Sequence, residues 1–471
     1  MLTYSFQSAG SKPLYQHLYQ CIKHDIVQGT LAADEKLPSK RSFAKNLGIS
    51  TITVENAYAQ LVAEGFVYSL PKKGFFVTDI RKSLSEKENK NSKKEDNMEI
   101  GAKEYLADFT SNQTCSEQFP FSIWAKLMRV VLKEEREGLM MNAPCAGIRQ
   151  LREAIAEHLK AFRGMEVEPE QIVVGAGTEY LYGLLLQLLG MEKCYGVENP
   201  GYHKIYKIYK SHQVACSYVR MDGAGVLVSS LEQNGVDVAH ISPSHHFPTG
   251  IVMPVSRRYE LLGWAAKREG RYIIEDDYDS ELRLAGKPVP SLQSIDIEEK
   301  VIYMNTFTKT LSSTVRISYM VLPHHLVKRF SERLSFYSCT VSNFEQYVLA
   351  RFIREGYFEK HINRMRNYYH EKRDLLLKQI AGSSVAGCCM ISEEDAGLHF
   401  LMEIDTSRGD EEICAALEKE GIRILSVAQY YENPEEKRDH IFVMNYSSLK
   451  KENIKMAIQG LEKVFVGKSD K

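Results

Sequence analysis

The chain has 471 residues, of which 44% are hydrophobic and 26% charged, so it can form roughly two to four domains with buried cores. Lysine and arginine total 60 against 61 aspartate and glutamate residues, which excludes a uniformly basic protein and requires any basic surface to be local. The N-terminus lacks a secretory signal pattern and no apolar run approaches about 18 residues, so we expect a cytoplasmic protein that does not enter a membrane.

Nine cysteines are spread along the chain. Their spacing forms neither a short chelating motif nor a dense disulfide framework, and Cys388 and Cys389 are adjacent rather than spaced to bind a metal. We therefore expect reduced thiols and no metal site.

The first 80 residues have the periodicity of three short helices. Apolar residues repeat every four positions in the first helix, at Leu14, Leu18, Ile22 and Ile26. The second helix is expected to begin after Ser39 and end at Gly48, because serine caps helix N-termini and glycine ends helices. The third is expected to begin after Ser50 and end at Gly65. Its predicted inner face contains Val54, Ala57, Tyr58, Leu61 and Val62.

Two short strands are predicted at residues 66–69 and 75–78, around the turn 71–74. Three helices followed by a basic hairpin form a winged helix-turn-helix, in which the third helix enters a major groove of DNA. At the tip of the hairpin, Lys72 and Lys73 would contact phosphate. Periodicity alone leaves open a small helical domain that contacts protein.

The run LPSKRSFAKNLGISTITVENAYAQLVAEGF, residues 37–66, resembles the DNA-binding domain of the GntR family of bacterial regulators. Together with the hairpin, the resemblance implies that the DNA-binding residues are Lys40, Arg41, Ser50, Thr51, Thr53, Lys72 and Lys73. The family often has arginine at the position of Thr51. Threonine cannot make the bidentate contact of arginine with guanine, so the operator sequence stays open.

Residues 81–104 change in character, with many charged residues and a single large apolar side chain between 81 and 97. This composition cannot bury a core and predicts a flexible charged linker. The chain would then consist of a DNA-binding domain at residues 1–80, the linker at 81–104, and a second domain at 105–471.

From residue 105 onward, helical patterns alternate with short apolar strands. The predicted strands lie at 171–174, 194–198, 236–241, 272–276 and 301–304. Short strands separated by helices indicate an α/β domain with a mainly parallel sheet between helices. Ligands of such sheets bind at the carboxyl ends of the strands.

Lys309 lies in the run NTFTKTLSSTVRISY, residues 305–319, between the hydroxyls of Thr306 and Thr308. A lysine amine can bond covalently to a cofactor aldehyde, and hydroxyls together with Arg316 can hold its phosphate. This stretch alone could equally be a polar loop with a surface lysine.

Polar motifs that follow the predicted strands favour the cofactor interpretation. Residues 175–178 read GAGT between a strand and a helix, where amide groups and a hydroxyl can hold phosphate. Residues 199–203 follow the predicted strand 194–198 and offer the aromatic ring of Tyr202. Residues 242–250 form a further polar segment after the predicted strand 236–241. Four of the five residues at 275–279 are acidic, so at least one carboxylate is expected to be buried and paired.

In this order, with Lys309 last, these motifs resemble the fold type I pyridoxal-phosphate aminotransferases over residues 105–471, which implies a smaller α+β C-terminal part as well. The resemblance implies an internal aldimine at Lys309 and pairing of Asp276 with the pyridine nitrogen. Tyr278 would donate to the ring oxygen, and Tyr202 would stack on the ring. The phosphate would be held by Gly177, Thr178, Thr306, Thr308 and Arg316.

The combination of the two blocks resembles the MocR subfamily of GntR-type transcriptional regulators. The resemblance implies pyridoxal 5'-phosphate as cofactor, a double-stranded DNA operator, a small amine or amino-acid effector, and a head-to-tail homodimer. Lys204 stands where a GABA-sensing member has a basic residue for its effector. At the position of the usual carboxylate-binding arginine, residues 441–447 contain no arginine.

Three functions remain open from the sequence. The favoured hypothesis is a regulator that senses an amine or amino acid through an aldimine at Lys309. The alternative is an active aminotransferase with an autoregulatory DNA-binding domain, and a further one is a sensor of pyridoxal phosphate itself. The missing arginine argues for weak or half-reaction transamination at most, because both half-reactions need a grip on the carboxylate.

Overall fold

The computed structural model describes Tyr4 and residues 13–79, 105–111, 113–284, 289–395, 397–433 and 436–466. The predicted linker, 81–104, lies outside these residues. The chain divides into two compact units, Met1–Ala102 and Lys103–Lys471. Among the residues described, no helix combines the length and the apolar character that would let it span a membrane.

The first unit contains three helices and a two-stranded hairpin, as the sequence predicts. Its elements are α1 (Leu14–Gln28), α2 (Lys40–Leu47), α3 (Thr51–Ala63), β1 (Val67–Leu70) and β2 (Gly74–Val77). The strands pair antiparallel, with Val67 opposite Val77. The side chain of Ser39 caps α2 by accepting the N–H of Ser42 at 3.2 Å.

The core of this unit is formed by the helix faces that the sequence identifies. Leu18, Val54 and Tyr58 are fully buried. The interpretation of Val62 is wrong, because this side chain is 37% exposed. The reason is that the apolar stripe of α3 follows Val54, Ala57, Tyr58 and Leu61, and Val62 lies at its outer edge.

The second unit is a three-layer α/β structure with a smaller C-terminal part. Its helices are α4 (Phe121–Glu134), α5 (Arg136–Met140), α6 (Arg149–Arg163), α7 (Thr178–Leu189), α8 (His203–Ser211), α9 (Val228–Gln233), α10 (Val255–Ala266), α11 (His324–Leu334), α12 (Asn343–Arg354), α13 (Tyr357–Ala381), α14 (Asp410–Lys419) and α15 (Ile454–Phe465). Its strands are β3 (Ala107–Asp108), β4 (Ile172–Gly175), β5 (Cys194–Asn199), β6 (Ala215–Asp222), β7 (Gly225–Val226), β8 (Val238–Ile241), β9 (Tyr272–Asp276), β10 (Val301–Thr306), β11 (Ser318–Val321), β12 (Cys389–Ser392), β13 (His399–Ile404), β14 (Ile422–Arg423), β15 (Leu425–Ser426) and β16 (Ile441–Asn445).

The main sheet has eight strands in the order β4-β11-β10-β9-β8-β5-β6-β7. Strand β11 runs antiparallel to both β4 and β10, and β7 runs antiparallel to β6. The remaining six strands are parallel, so the prediction of a mainly parallel sheet is confirmed. Both faces are covered, because Ile273 and Ile274 are fully buried and pack into different apolar clusters.

The C-terminal part is α+β. Strands β12, β13, β16 and β15 form an antiparallel sheet, and β14 pairs parallel with β3 from the start of the unit. Helices α13, α14 and α15 contribute residues to the apolar cluster on this sheet, including Leu376, Leu417 and Leu461.

Candidate functional site

A cavity of about 630 Å³ lies where five parallel strands of the main sheet end. Turns that follow β4, β5, β8, β9 and β10 all contribute to its wall. The residues predicted to bind cofactor or effector all line it: Gly177, Thr178, Tyr202, Lys204, Asp276, Tyr278, Thr306, Thr308, Lys309 and Arg316. The topology therefore brings these ten residues together, while their individual roles stay predictions.

Lys309 lies in the turn between β10 and β11 and is half-buried. Loss of hydration lowers the pKa of its ammonium from 10.5 to about 8, although the negative charge of Asp279 acts in the opposite direction. At neutral pH a larger fraction of this amine is uncharged than in an ordinary lysine. An uncharged amine is the form that attacks an aldehyde.

Asp276, the last residue of β9, has one satisfied and one unsatisfied carboxylate oxygen. Its Oδ2 accepts a hydrogen bond from the Tyr182 hydroxyl at 2.8 Å and lies 3.5 Å from Nε2 of His240. Its buried Oδ1 has no hydrogen-bond partner among the described residues. A buried acceptor beside a cavity requires a donor, and a protonated pyridine nitrogen would supply one.

The residues predicted to hold phosphate form a polar pocket between β4 and β10. Gly177 has φ +92 and precedes α7, whose free amide groups favour anions. A Cβ atom at Gly177 would lie 2.6 Å from the Arg316 guanidinium, so only glycine allows this approach. On the other side, the Thr306 hydroxyl donates to the Thr308 hydroxyl at 2.7 Å and accepts from that of Ser318 at 2.8 Å. Glycine, hydroxyls and guanidinium together fit a phosphate group.

Two tyrosines predicted to contact the cofactor ring lie on the cavity wall. Tyr202 is 46% exposed, and its ring meets that of Phe247 edge to face at 6.1 Å. Tyr278 is half-buried, with its hydroxyl 3.4 Å from Nδ1 of His245. Burial raises the pKa of Tyr278 well above its usual value, so this phenol stays protonated and can donate.

At the mouth of the cavity, Glu179 contacts the ammonium of Lys204 and lies 3.8 Å from the Arg316 guanidinium. Lys204 lowers the pKa of Glu179 by hydrogen bonding, so the carboxylate is charged. A ligand carboxylate that approached Lys204 would have to compete with Glu179. Of the described residues that line the cavity, Arg316 is the only arginine.

Sequence reasoning missed Tyr182, His240 and Glu198, which also line the cavity. Tyr182 lies one turn after Thr178 on α7, so helical spacing could have identified it. Glu198 and His240 lie inside buried strands and carry no local signal. Glu198 accepts the N–H of Ser242 at 3.1 Å, and burial raises its pKa well above the usual value.

The acidic run 275–279 is buried and paired, as predicted for at least one of its carboxylates. Glu275 accepts the N–H groups of Leu292 and Gln293 at 2.8 and 2.9 Å. Asp277 forms an ion pair with Arg163 at 2.8 Å. Asp279 lies 2.8 Å from Nδ1 of His245. These contacts fix the backbone that carries Asp276 and Tyr278.

The predicted DNA-binding residues lie in the first unit and differ in their exposure and in their contacts with neighbouring residues. Arg41, Thr51, Lys72 and Lys73 are exposed. The Lys40 ammonium forms an ion pair with Glu55 at 2.6 Å, and the Ser50 hydroxyl accepts the N–H of Thr53 at 3.1 Å as the cap of α3. Ser50 is also exposed and caps the helix, so its predicted contact with DNA and those of the other exposed residues stay predictions.

If Lys309 bonds to pyridoxal phosphate, as the resemblance implies, the rate of that reaction is expected to rise with pH until about pH 8 and then to level off. Because the pKa is about 8, the uncharged fraction of the amine rises by about 50-fold between pH 6 and pH 8. Stopped-flow absorbance of the apo protein mixed with cofactor measures the rate. A rate that still rises tenfold per pH unit between pH 8 and pH 10 would contradict the lowered pKa.

Two family descriptions match the chain. "Bacterial regulatory proteins, gntR family" matches residues 14–77, and "Aminotransferase class I and II" matches residues 106–461.

Two curated relatives span almost the whole chain. It is 37% identical over 421 residues to the HTH-type transcriptional regulator YdeL of Bacillus subtilis, covering 89% of this chain and 90% of that protein. It is 30% identical to the "Probable rhizopine catabolism regulatory protein MocR" of Rhizobium meliloti, covering 96% and 94% of the two chains.

The fold is also similar to that of a solved aminotransferase. The kynurenine aminotransferase of Pyrococcus horikoshii, crystallised in complex with PMP, aligns with a TM-score of 0.68 at 21% identity. The alignment covers 83% of this chain and 97% of that enzyme.

Proposed function

This chain belongs to the MocR subfamily of GntR-type transcriptional regulators, and from that premise we propose that its cavity senses a small primary amine or amino acid. Its first unit is a gntR-family DNA-binding domain, and its second has the aminotransferase class I and II fold, which binds pyridoxal 5'-phosphate. One observation carries the proposal: Lys309, with its lowered pKa, and the unsatisfied oxygen of Asp276 line the same cavity.

Pyridoxal phosphate supplies an aldehyde that reacts with primary amines and a protonated ring that accepts electron density. In this proposal Lys309 would hold the cofactor at its aldehyde carbon, and Asp276 would keep a proton at the ring nitrogen. Tyr182 would orient Asp276 by donating to its other oxygen, and His240 lies 3.5 Å from that oxygen. The phosphate is bound by Gly177, Thr178, Thr306, Thr308 and Arg316.

An effector amine that took the place of Lys309 at the aldehyde would return the lysine to its amine form inside the half-buried site. That change can alter the conformation of the second unit, and the altered conformation can change operator affinity. The effector shifts the equilibrium only by the difference in its affinity for the two states, so a fivefold change in operator affinity requires about 1 kcal/mol.

The test is a visible absorption titration of the cofactor-loaded protein with a panel of amines and amino acids. The proposal predicts that one ligand class shifts the cofactor absorption at micromolar to millimolar concentration while the rest do not. If no primary amine shifts the absorption, the cavity does not sense amines.

The alternative, an active aminotransferase with an autoregulatory DNA-binding domain, is supported by the full set of cofactor-site residues. The lack of the usual arginine that binds the substrate carboxylate argues against it. Arg423 lies 3.9 Å from Asp108, and Arg438 lines a different cavity. Sustained keto-acid production over many turnovers would favour this alternative.

A sensor of pyridoxal phosphate itself is the third candidate, because the same cavity could signal by being filled or empty. An operator-binding assay that compares apo and cofactor-loaded protein separates it from amine sensing. Equal operator affinity in the two forms would remove it.

We also propose that the protein acts as a head-to-tail homodimer on a double-stranded operator. Exposed apolar side chains on the second unit support self-association, among them Phe121, Met140, Met141 and Phe336. One chain has a mass of 53.7 kDa, and light scattering of the protein should give twice that mass. A monomer at micromolar concentration would contradict the dimer.

Lys72 and Lys73, at the tip of the hairpin that forms the wing, should contribute to DNA affinity without contributing to sequence preference. Lys73→Ala is expected to weaken binding uniformly across sequences and to reduce the slope of log Kd against log salt by about 1, because one phosphate contact is lost. Lys328→Ala, a lysine 84% exposed on the second unit, is the control and should leave the slope unchanged. An unchanged slope in Lys73→Ala would place the wing away from phosphate.

A further inference from the structure

The outward face of α3 consists of four residues at helical spacing: Ile52, Glu55, Asn56 and Ala59. All four are exposed, whereas the opposite face of the helix is buried in the core of the unit. Ile52 is 68% exposed, which is a large apolar surface for the first turn of a helix. In a helix-turn-helix, side chains near the start of this helix contact the edges of bases.

The start of α3 is held in place by local contacts. The Ser50 hydroxyl accepts the N–H of Thr53, which fixes the first turn that carries Ile52. The Lys40 ammonium lies 2.6 Å from a Glu55 oxygen and also over the Phe75 ring at 5.4 Å. Because Lys40 neutralises the Glu55 carboxylate, this face can approach DNA without an unpaired negative charge.

Ile52 and Asn56 are therefore the two side chains on this face suited to read bases. They lie four residues apart on one side of the helix, a rise of about 6 Å, which corresponds to about two base pairs at 3.4 Å each. Asparagine forms a bidentate pair with N6 and N7 of adenine, and an apolar side chain contacts the C5-methyl group of thymine.

We propose that Ile52 and Asn56 determine operator specificity by reading A·T base pairs about two steps apart in the major groove of each half-site. Ile52 contacts a thymine methyl group and Asn56 an adenine. This inference rests on the DNA-binding function of the first unit and does not depend on the effector. It also explains how the chain can read sequence with threonine at position 51, where no bidentate contact with guanine is available.

The experiment begins with selection of duplexes from a random library by the full-length, cofactor-loaded protein. Each thymine of the selected duplex is then replaced by uracil, which removes only the methyl group. Wild-type protein should lose about fourfold in affinity at one thymine of each half-site, which corresponds to one buried methyl group. Ile52→Ala should bind the thymine and uracil duplexes equally.

Asn56 is tested in the same way with 7-deazaadenine, which lacks the N7 acceptor. Wild-type protein should lose about tenfold at one adenine of each half-site, and Asn56→Ala should show no further loss. Val62→Ala is the matched control, because Val62 is an exposed apolar residue at the far end of the same helix. It should retain both discriminations. Circular dichroism establishes that each variant is folded, and Ile52→Ser, which keeps no methyl group, gives a second test at the same position.

Three results would overturn the proposal. Wild-type protein could bind thymine and uracil duplexes equally at every position, or Ile52→Ala and Ile52→Ser could both keep the discrimination. Selection of no duplex at all would remove the DNA-binding function and this inference with it. A failed amine titration, by contrast, would affect only the proposed effector, so the two failures are distinguishable. If Ile52 served protein contact instead, Ile52→Ala would change the mass of the assembly and leave the uracil effect intact.

Discussion

Lys309→Ala is expected to abolish the visible absorption of bound pyridoxal phosphate and any spectral response to amines. The reason is that alanine has no group that can bond to the aldehyde. The other lysine among the described residues that line the cavity, Lys204, contacts Glu179. Absorption spectra of wild-type and variant protein, each dialysed after incubation with the cofactor, measure the effect. Complete loss is expected.

Two controls isolate the role of the amine in that experiment. Lys328→Ala removes an exposed lysine and should keep the full absorption. The thermal unfolding temperature of apo Lys309→Ala should match or exceed that of the wild type, because the variant removes a poorly hydrated charge. Retention of the cofactor absorption in Lys309→Ala would mean that another amine holds the aldehyde.

Asp277→Ala is expected to destabilise the second unit by about 3–5 kcal/mol. Asp277 and Arg163 form an ion pair at 2.8 Å, and their side chains are 1% and 3% exposed. The same Asp277 oxygen accepts the hydroxyls of Tyr303 and Ser280 at 2.6 and 2.8 Å. The substitution leaves the Arg163 charge buried without its carboxylate. Urea denaturation of the apo protein, followed by tryptophan fluorescence, measures the shift.

The matched control is Glu371→Ala, which breaks an ion pair of the same 2.8 Å length with Lys451 on the surface. Because Glu371 is 69% exposed in its side chain, the urea midpoint is expected to stay close to that of the wild type. Equal midpoints for Asp277→Ala and wild-type protein would show that the buried pair does not hold the turn that carries Asp276 and Tyr278.

Local signals in the sequence were sufficient for the first unit. Ser39 and Ser50 cap their helices, and Gly48 ends α2 in a left-handed conformation with φ +67. These features depend on neighbours within four residues, so they can be predicted without knowledge of the fold. The hairpin strands differ from the prediction by one residue at all four ends, because strand ends depend on pairing as well as composition.

The membership of the cavity could be predicted for residues in strand-end turns, because parallel strands end at one edge of a sheet. Asp276 and Lys309 are examples. The partners of Asp276 could not be predicted in the same way. His240 lies in the interior of β8, where its sequence neighbours are apolar and fully buried. The pairing of Glu179 with Lys204 joins the first turns of helices α7 and α8, and only the fold brings these two helix starts together.

The direction of strand β11 also could not be predicted from the sequence. Residues 307–317, which contain Lys309, join β10 to β11 and return the chain antiparallel between β10 and β4. A parallel connection is usually made by an α-helix, whereas these residues form turns. The antiparallel return places Ser318 opposite Thr306, where its hydroxyl donates to that of Thr306.

The central claim, that a small amine in the cavity changes DNA binding, is tested most directly by fluorescence anisotropy on a selected operator duplex. Cofactor-loaded wild-type protein and Lys309→Ala are titrated with operator in the absence and presence of the amine that shifts the wild-type spectrum. The proposal predicts a change in Kd of about fivefold or more for the wild type and none for the variant. An unchanged wild-type Kd, or the same change in both proteins, would contradict it.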